Sequence, residues 1–392
     1  MRIIKIETFL ANAGLRNYLF LRLHTDSGLT GIGESTLEWQ EKTVETLIHE
    51  FFADRYLMGA NPCDIEDLVS RMIRDQYQGG ATVMTAISGI EIALWDILGK
   101  DCGKPVYQLL GGRCHENIQA YANGWYGGAR TPQEYAERAK HVVDMGYRAL
   151  KFDPFGVTWK DLPRLEFRKS IELIEKVRAV VGDEVEIMIE GHGRFNVETA
   201  LEIAHALVPY RPAWFEEPVS SENIQLLEII KSRTSLRIAA GERLYSMSDF
   251  FHLISRRAAD VVQMDVAHCG GILTSKKIAA IAAAQDLSIS PHCSIGPVAL
   301  AAALHLDMST PNLQFQEAFG EFEAGWRDAL VHSWNPIRDG RFHLPDTPGL
   351  GMELNDQEIA LHPYVRNSFP TLWDGGWYEK FTSHHRTEPT KQ

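Results

Sequence analysis

The chain has 392 residues, of which 45% are hydrophobic and 23% charged, and its formal net charge is −13. That is long enough for two domains with a large core, and the acidity argues against a nucleic-acid surface, which needs a basic patch. Five scattered cysteines (Cys63, Cys102, Cys114, Cys269 and Cys293) lack CxxC spacing and read as reduced thiols in a cytoplasm, with no disulfide framework or zinc site.

The first stretch, Met1 to Gly14, is interrupted by Lys5 and Glu7 and reads as a strand, not a signal peptide. Ile3, Ile4 and Ile6 form that strand. Tyr18 to His24 alternates in a second, and Asp26-Ser27-Gly28 turns the chain into a third over Leu29 to Gly33. The connection from Leu10 to Arg16 is short. Helical patterns follow over Ile65–Tyr77 and Thr82–Gly99. Strands followed by helices predict an α+β capping domain over residues 1–115, ending at Gly111-Gly112. No apolar run approaches a membrane span; the longest, Ile278 to Ala284, sits in an amphipathic helix.

From Ile118 the pattern alternates strictly between strand and helix. Strand Ile118–Ala122 precedes a helix with Thr131 as N-cap, Pro132 at its first position, Glu134 closing a capping box and Gly146 as the stop. Strand Ala149–Phe152 precedes a helix carrying Ile171, Ile174, Val177 and Val181 on one face. Further strands end at Glu190, at Glu216, near Glu242, at Asp265 after Val261–Met264, before His292 after Leu287–Ser290, and near Glu317 after Leu313–Phe315. Seven βα units and an eighth strand predict a TIM-like (β/α)7β barrel over residues 116–330, with a weak last helix over Phe322–Leu330. An open doubly wound sheet would want a Gly-rich phosphate loop after its first strand, and none is present. Residues 331–392, rich in Pro and Gly at first, are expected to pack back on the capping domain. The tail SHHRTEPTKQ is expected to be disordered.

Glu190, Glu216 and Glu242 stand at two equal intervals of 26 residues, each after a short, largely apolar strand. In a parallel barrel the strand ends lie side by side on one face. Three converging carboxylates repel one another unless a cation lies between them, and an all-oxygen set suits Mg²⁺. Asp265 and His292 end neighbouring strands. An aspartate on one ring nitrogen fixes the imidazole tautomer and makes the other nitrogen a general base. His192 follows the first glutamate by two residues and reaches the cavity from the opposite side. A protonated Glu317, favoured by nearby carboxylates, would hydrogen-bond a developing enediolate oxygen. Lys151 and Asp153, at the second strand, are expected to contact substrate. Removing a proton alpha to a carboxylate, with a base on one face and an acid on the other, permits loss of a β-hydroxyl as water.

The stretches YANGWY (121–126), ALKFDPFG (149–156), IEGHGRFN (189–196), FEEPV (215–219), AAGERL (239–244) and PHCSIGP (291–297) resemble the enolase superfamily, mandelate racemase-like subgroup. Within it the likeness is to gluconate and galactonate dehydratases. The resemblance implies that Glu190, Glu216 and Glu242 hold Mg²⁺, and that Asp265 and His292 take the C2 proton of a sugar acid. It implies further that His192 protonates the departing 3-hydroxyl and that Glu317 faces the enediolate. Many relatives carry Asp in place of Glu190. Racemases often present a KxK pair on the second strand; Lys151 and Asp153 stand there instead, which argues against racemisation. A symmetric homo-oligomer, commonly an octamer, is implied as well. The alternatives are a cycloisomerase or epimerase of the same group and a catalytically silent sugar-acid-binding protein.

Overall fold

Two tight turns set the first sheet. In the computed structural model, which describes residues 1–77, 79–322, 325–332 and 336–366, β1 (Ile3–Asn12), β2 (Asn17–Thr25) and β3 (Thr30–Glu34) form an antiparallel meander. Helix α1 (Glu41–Leu47) continues as π-helix to Leu57 and is followed by α2 (Ile65–Arg74), α3 (Ala81–Cys102) and the short α4 (Val106–Leu109). Helix α3 lies directly on β3. A Cβ at Gly31 or Gly33 would collide with the carbonyl oxygens of Ala93 and Gly89, so this approach requires glycine.

Helix α3 corrects one expectation. Its 22 residues and a window of mean hydropathy 1.5 make it long and apolar enough to cross a membrane by length and composition. Glu91, Asp96 and Lys100 interrupt the run in the sequence, which hides it. Here 78% of that window is buried, packed against β3, α1, α2 and the later helix Gly271–Ala284, so it is the core helix of the capping domain.

Strand and helix then alternate: β4 (Ile118–Ala122), α5 (Pro132–Asp144), β5 (Ala149–Phe152), α6 (Arg164–Val181), β6 (Glu186–Glu190), α7 (Val197–Leu207), β7 (Trp214–Glu216) and α8 (Ile224–Arg233). They continue as β8 (Ile238–Ala240), α9 (Met247–Ser255), β9 (Val261–Val262), α10 (Gly271–Ala284), β10 (Ser288–Ile289), α11 (Pro297–Met308) and β11 (Gln316–Ala318). Strands β4 to β10 pair in parallel in sequence order, β11 pairs with β4, and a bridge from Ile289 to Leu313 closes the ring. The fold is thus an α/β TIM-like barrel with an N-terminal capping domain. The Thr131–Glu134 capping box forms as the sequence predicts, and Asn196 accepts from Thr199 N–H at 2.8 Å. Tyr121, Met188, Trp214 and Phe315 help fill the barrel interior, which is a packed core below its mouth.

The late strands are displaced from their expected positions. Leu313 makes only the bridge to Ile289, and pairing to β4 begins at Gln316, so Glu317 lies within β11. The chain leaves the sheet after Val262, and Asp265 instead bridges to His292. Among the described residues of the expected last helix, Phe322–Leu330, no α-helix forms; 3₁₀ turns cover Gly320–Phe322 and Asp328–Leu330, and Gly325 disfavours a helical run. After it, β12 (Val331–His332) pairs with β15 (Glu353–Leu354), and the hairpin of β13 (Ile337–Arg338) and β14 (Arg341–Phe342) pairs with β4. Helix α12 (Asp356–Leu361) packs on β1, and Asn12 N–H donates to the His362 carbonyl at 2.8 Å. The described residues from Val331 to 366 therefore touch both the barrel and the capping domain. The tail SHHRTEPTKQ lies outside the described residues.

Two buried glutamates dock the capping domain on barrel helices. Glu91 of α3 accepts from Ile272 and Leu273 N–H, each at 2.8 Å, at the start of α10. Glu34 of β3 accepts from Gly296 at 2.7 Å and Ala299 at 2.9 Å at the start of α11. The first turn of a helix has N–H groups without intrahelical partners and a positive dipole end, so a carboxylate satisfies both. Burial pushes the Glu91 carboxyl up to about 7, against these N–H groups and Trp95. The unfolded carboxyl ionises near 4.5. Between those values the unfolded chain sheds a proton that the folded one keeps, so this stabilisation is complete below 4.5 and is lost as pH rises through 7. Compared with a Glu91→Gln variant, the wild-type chain should lose up to about 3 kcal/mol across that window, read by denaturant melts at a series of pH values.

Candidate active site

Consecutive barrel strands deliver the three glutamates. Glu190 ends β6, Glu216 ends β7 in register beside it, and Glu242 follows β8 after Gly241. One oxygen of each lies within 4.8 Å of the others. Glu190 and Glu216 are buried and Glu242 is half-buried. Burial raises the Glu190 and Glu216 carboxyls, and the neighbouring Glu190 adds to the rise at Glu216. At Glu242 burial works the same way, but His292, Arg243 and Lys151 outweigh it and hold the carboxyl at about 2. Glu190 Oε2 is buried and makes no hydrogen bond among the described residues, with the Lys151 ammonium standing 3.4 Å away. Converging carboxylate oxygens, one of them buried without a hydrogen bond, fit a hard divalent cation.

Two histidines face this set, each backed by an aspartate. His292 Nδ1 lies 2.7 Å from Asp265 Oδ2, and its Nε2 stands 3.5 Å from Glu242 Oε2 and 3.8 Å from Glu317 Oε2. Burial opposes protonation of His292, but Glu317, Glu242 and Asp265 outweigh it and lift the imidazole well above its ordinary range. His192 Nδ1 lies 2.7 Å from Asp153 Oδ2. His192 has left-handed backbone, φ 51°, which turns its N–H back onto Glu190 Oε1 at 2.6 Å. The two histidines follow the third and seventh of eight strands, so they stand on opposite walls of one cavity of about 240 Å³. A larger cavity of about 530 Å³, between Met1 and Arg71 on the capping domain, contains none of these groups.

Three sequence assignments shift. Asp153 does not line the cavity; it lies behind His192, shared with the buried Arg194, because it sits one residue past the end of β5. Lys151 lines the cavity, but its ammonium is already 2.5 Å from Glu216, 3.1 Å from Glu317 and 3.4 Å from Glu190. Glu317 is not favoured in the protonated form. Burial raises its carboxyl, but Lys151, His292, the Cys293 N–H at 2.7 Å and the Asn123 amide at 2.7 Å bring it below the usual range. As an ionised group it is an acceptor, not a donor.

Residues 6–111 match the mandelate racemase / muconate lactonizing enzyme N-terminal domain, and residues 134–358 match the enolase C-terminal domain-like family. The chain belongs to the enolase superfamily. Among curated proteins it is 35% identical to a D-gluconate dehydratase of Thermoproteus tenax, over 93% of this chain and 73% of that one. It is 36% identical to a D-galactonate dehydratase of Pectobacterium atrosepticum, over 92% of this chain and 94% of that one. Among solved structures, a mandelate racemase/muconate lactonizing enzyme from Jannaschia sp. CCS1 superposes with a TM-score of 0.87 at 33% identity, over 94% of this chain and 99% of that one. The chain is therefore an enzyme of this superfamily, and its curated relatives are dehydratases, which are carbon–oxygen lyases.

Sequence reasoning missed the partners that set this enolase-superfamily site. Arg16, Glu38 and Trp39 reach the cavity from the capping domain, together with Asn123, Tyr126, Ser294 and Phe319 from barrel loops. Nothing in the spacing of Arg16, Glu38, Trp39 or Phe319 marks them, while Asn123, Tyr126 and Ser294 lie within the YANGWY and PHCSIGP stretches but were given no role. Arg194 was visible within the HGRFN stretch, but its task was not. It is wholly buried, donating to Asp153, to the Gly156 carbonyl at 2.7 Å and to the Gly191 carbonyl at 3.0 Å. Removing one partner of a buried ion pair strands the other charge. Arg194→Met should therefore cost about 3–5 kcal/mol in chemical denaturation.

Proposed function

We propose that this chain is a Mg²⁺-dependent hydro-lyase that converts an aldonate, such as D-gluconate or D-galactonate, to the 2-keto-3-deoxy acid. The observation that carries the reading is the pair of aspartate-backed histidines on opposite walls above three converging glutamates. The names of the curated relatives supply the substrate class.

Glu190, Glu216 and Glu242 would hold the metal, which supplies positive charge to the substrate carboxylate as negative charge develops beside it. Asp265 accepts a hydrogen bond from His292 Nδ1–H, so that the neutral imidazole takes the C2 proton at Nε2. His192, held through Nδ1 by Asp153, gives its Nε2 proton to the departing 3-hydroxyl, which leaves as water. The enol left behind takes a proton at C3 and becomes the 2-keto acid. Lys151 and Asn123 hold Glu317 in place beside His292. A homo-oligomer working in the cytoplasm on this small-molecule substrate completes the reading.

The test is to incubate purified protein with Mg²⁺ and a panel of sugar acids and to assay 2-keto acid. Turnover of an aldonate is expected; no turnover of any sugar acid sinks the reading. His292→Asn should abolish both product and deuterium uptake at C2 in D₂O. His192→Asn should cut product by about 10²–10⁴-fold while C2 exchange persists. Two opposed histidines are also what a two-base epimerase needs. That second reading is chosen if NMR shows an inverted C2 and no keto product.

Metal binding has a readout apart from turnover. Mg²⁺ at a hundred times its dissociation constant should stabilise the wild-type chain by about 2.7 kcal/mol, seen as a rise in melting temperature. Glu216→Gln should abolish that rise.

A further inference from the structure

The cavity has a second polar wall, built by the capping domain. Arg16 ends the short turn between β1 and β2, and Glu38 lies on the connection from β3 to α1. Arg16 Nη1 donates to Glu38 Oε1 at 2.8 Å and to Ser294 Oγ at 3.3 Å. The Ser294 hydroxyl also lies 3.4 Å from Glu38 Oε1, and the guanidinium stands 5.3 Å over the Phe319 ring. Ser294 is two residues beyond His292, and Phe319 two beyond Glu317. The Arg16–Glu38 pair is thus fastened to both catalytic loops while facing the same cavity as His192 and His292. The Arg16 side chain is 3% exposed and that of Glu38 is 17% exposed, so the carboxylate is the more open of the two.

We propose that this pair determines specificity: it reads the distal hydroxyls of the sugar acid and excludes acids that end in a second carboxylate. The inference rests on the sugar-acid reading above and deepens it. A guanidinium only donates hydrogen bonds and a carboxylate only accepts them. Neighbouring hydroxyls each donate and accept, so a neutral polyol end satisfies both partners at once. A terminal carboxylate brings acceptors alone, together with a full negative charge. It meets a guanidinium that Glu38 already neutralises, and it meets the charge of Glu38 itself. Juxtaposed like charges at a binding surface are a strong device for rejecting the wrong partner. The site is built for a monoacid, an aldonate, and against the diacid, an aldarate.

The experiment compares kcat/KM for a hexonate and for the hexarate of the same configuration, with Mg²⁺. The acids are tested on the wild-type enzyme and on Glu38→Gln and Ser294→Ala, after melts show that each variant is folded. The wild-type enzyme should favour the hexonate by roughly 100-fold or more. Glu38→Gln keeps the shape and one acceptor but removes the charge, and should shrink that ratio at least about tenfold, mainly through the KM of the hexarate. Ser294→Ala removes a hydrogen bond without changing charge and should weaken both acids alike. Calorimetric binding of the two acids to His292→Asn, with and without Glu38→Gln, should give the same ratios without turnover. The proposal is overturned if the wild-type enzyme accepts both acids equally, if Glu38→Gln slows both alike, or if Ser294→Ala shifts the ratio as far as Glu38→Gln. A wild-type enzyme that turns over no sugar acid overturns the functional reading itself, and this inference with it, and is told apart because no ratio then exists.

Discussion

Four carboxylates crowd the mouth of this barrel, and most of what surrounds them answers that repulsion. Glu190, Glu216 and Glu317 are buried, and Glu242 stands beside them. Burying ionised carboxylates is costly unless each is paired or bound to a cation. Lys151 reaches three of the four, His292 reaches Glu242 and Glu317, and Arg243 lies 3.4 Å from Glu242. Glu216 is further held by the indole N–H of Trp214 at 2.8 Å and the amide of Gln263 at 2.7 Å. A site so strongly biased toward cations has its chemistry half chosen before any substrate arrives.

The same logic extends to the seam between the domains. The capping domain must sit on the barrel mouth, where the N-termini of α10 and α11 expose unpaired N–H groups. Glu91 and Glu34 fill those needs from the other domain, so the two halves are joined by hydrogen bonds that are worth little in water and much when buried. Helix α10 follows Asp265 and α11 follows His292. Docking the capping domain therefore also steadies the loops that carry the Asp265–His292 pair, and it brings Arg16 and Glu38 over the cavity.

The parts legible from sequence were those governed by local rules. Strand and helix periods, the Thr131 and Asn196 caps and the equal spacing of the three glutamates place the barrel and its carboxylates, because strand ends in a barrel must share a face. The parts that escaped depend on partners far along the chain. Glu91 meets Ile272 across 181 residues, and Glu34 meets Gly296 across 262. In the sequence each is only a charge interrupting an apolar run. Asp153 was seen as a missing lysine base; its position just past the end of β5, within reach of the next loop, makes it a support for His192. Glu317 was expected to be protonated by its acidic neighbours, and the basic and donor groups that outweigh them come from three other strands' ends.

The two histidine–aspartate pairs are alike in distance and unlike in surroundings, and that difference bears on which histidine gives a proton and which takes one. Asp153 is shared with the Arg194 guanidinium, so part of its negative charge is already spent before it meets His192. Asp265 has the backbone N–H of Ala267 at 2.8 Å and His268 at 3.5 Å, with no guanidinium among the described residues to neutralise it. An aspartate with its charge intact supports an imidazolium better than one held by a guanidinium. His292 faces Glu242 and Glu317 as well, which suits it to the proton-acceptor role on the proposed reading. On the proposed reading the direction of proton flow across the cavity, from C2 to the seventh strand's loop and from the third strand's loop to the leaving hydroxyl, follows from where one buried arginine was placed.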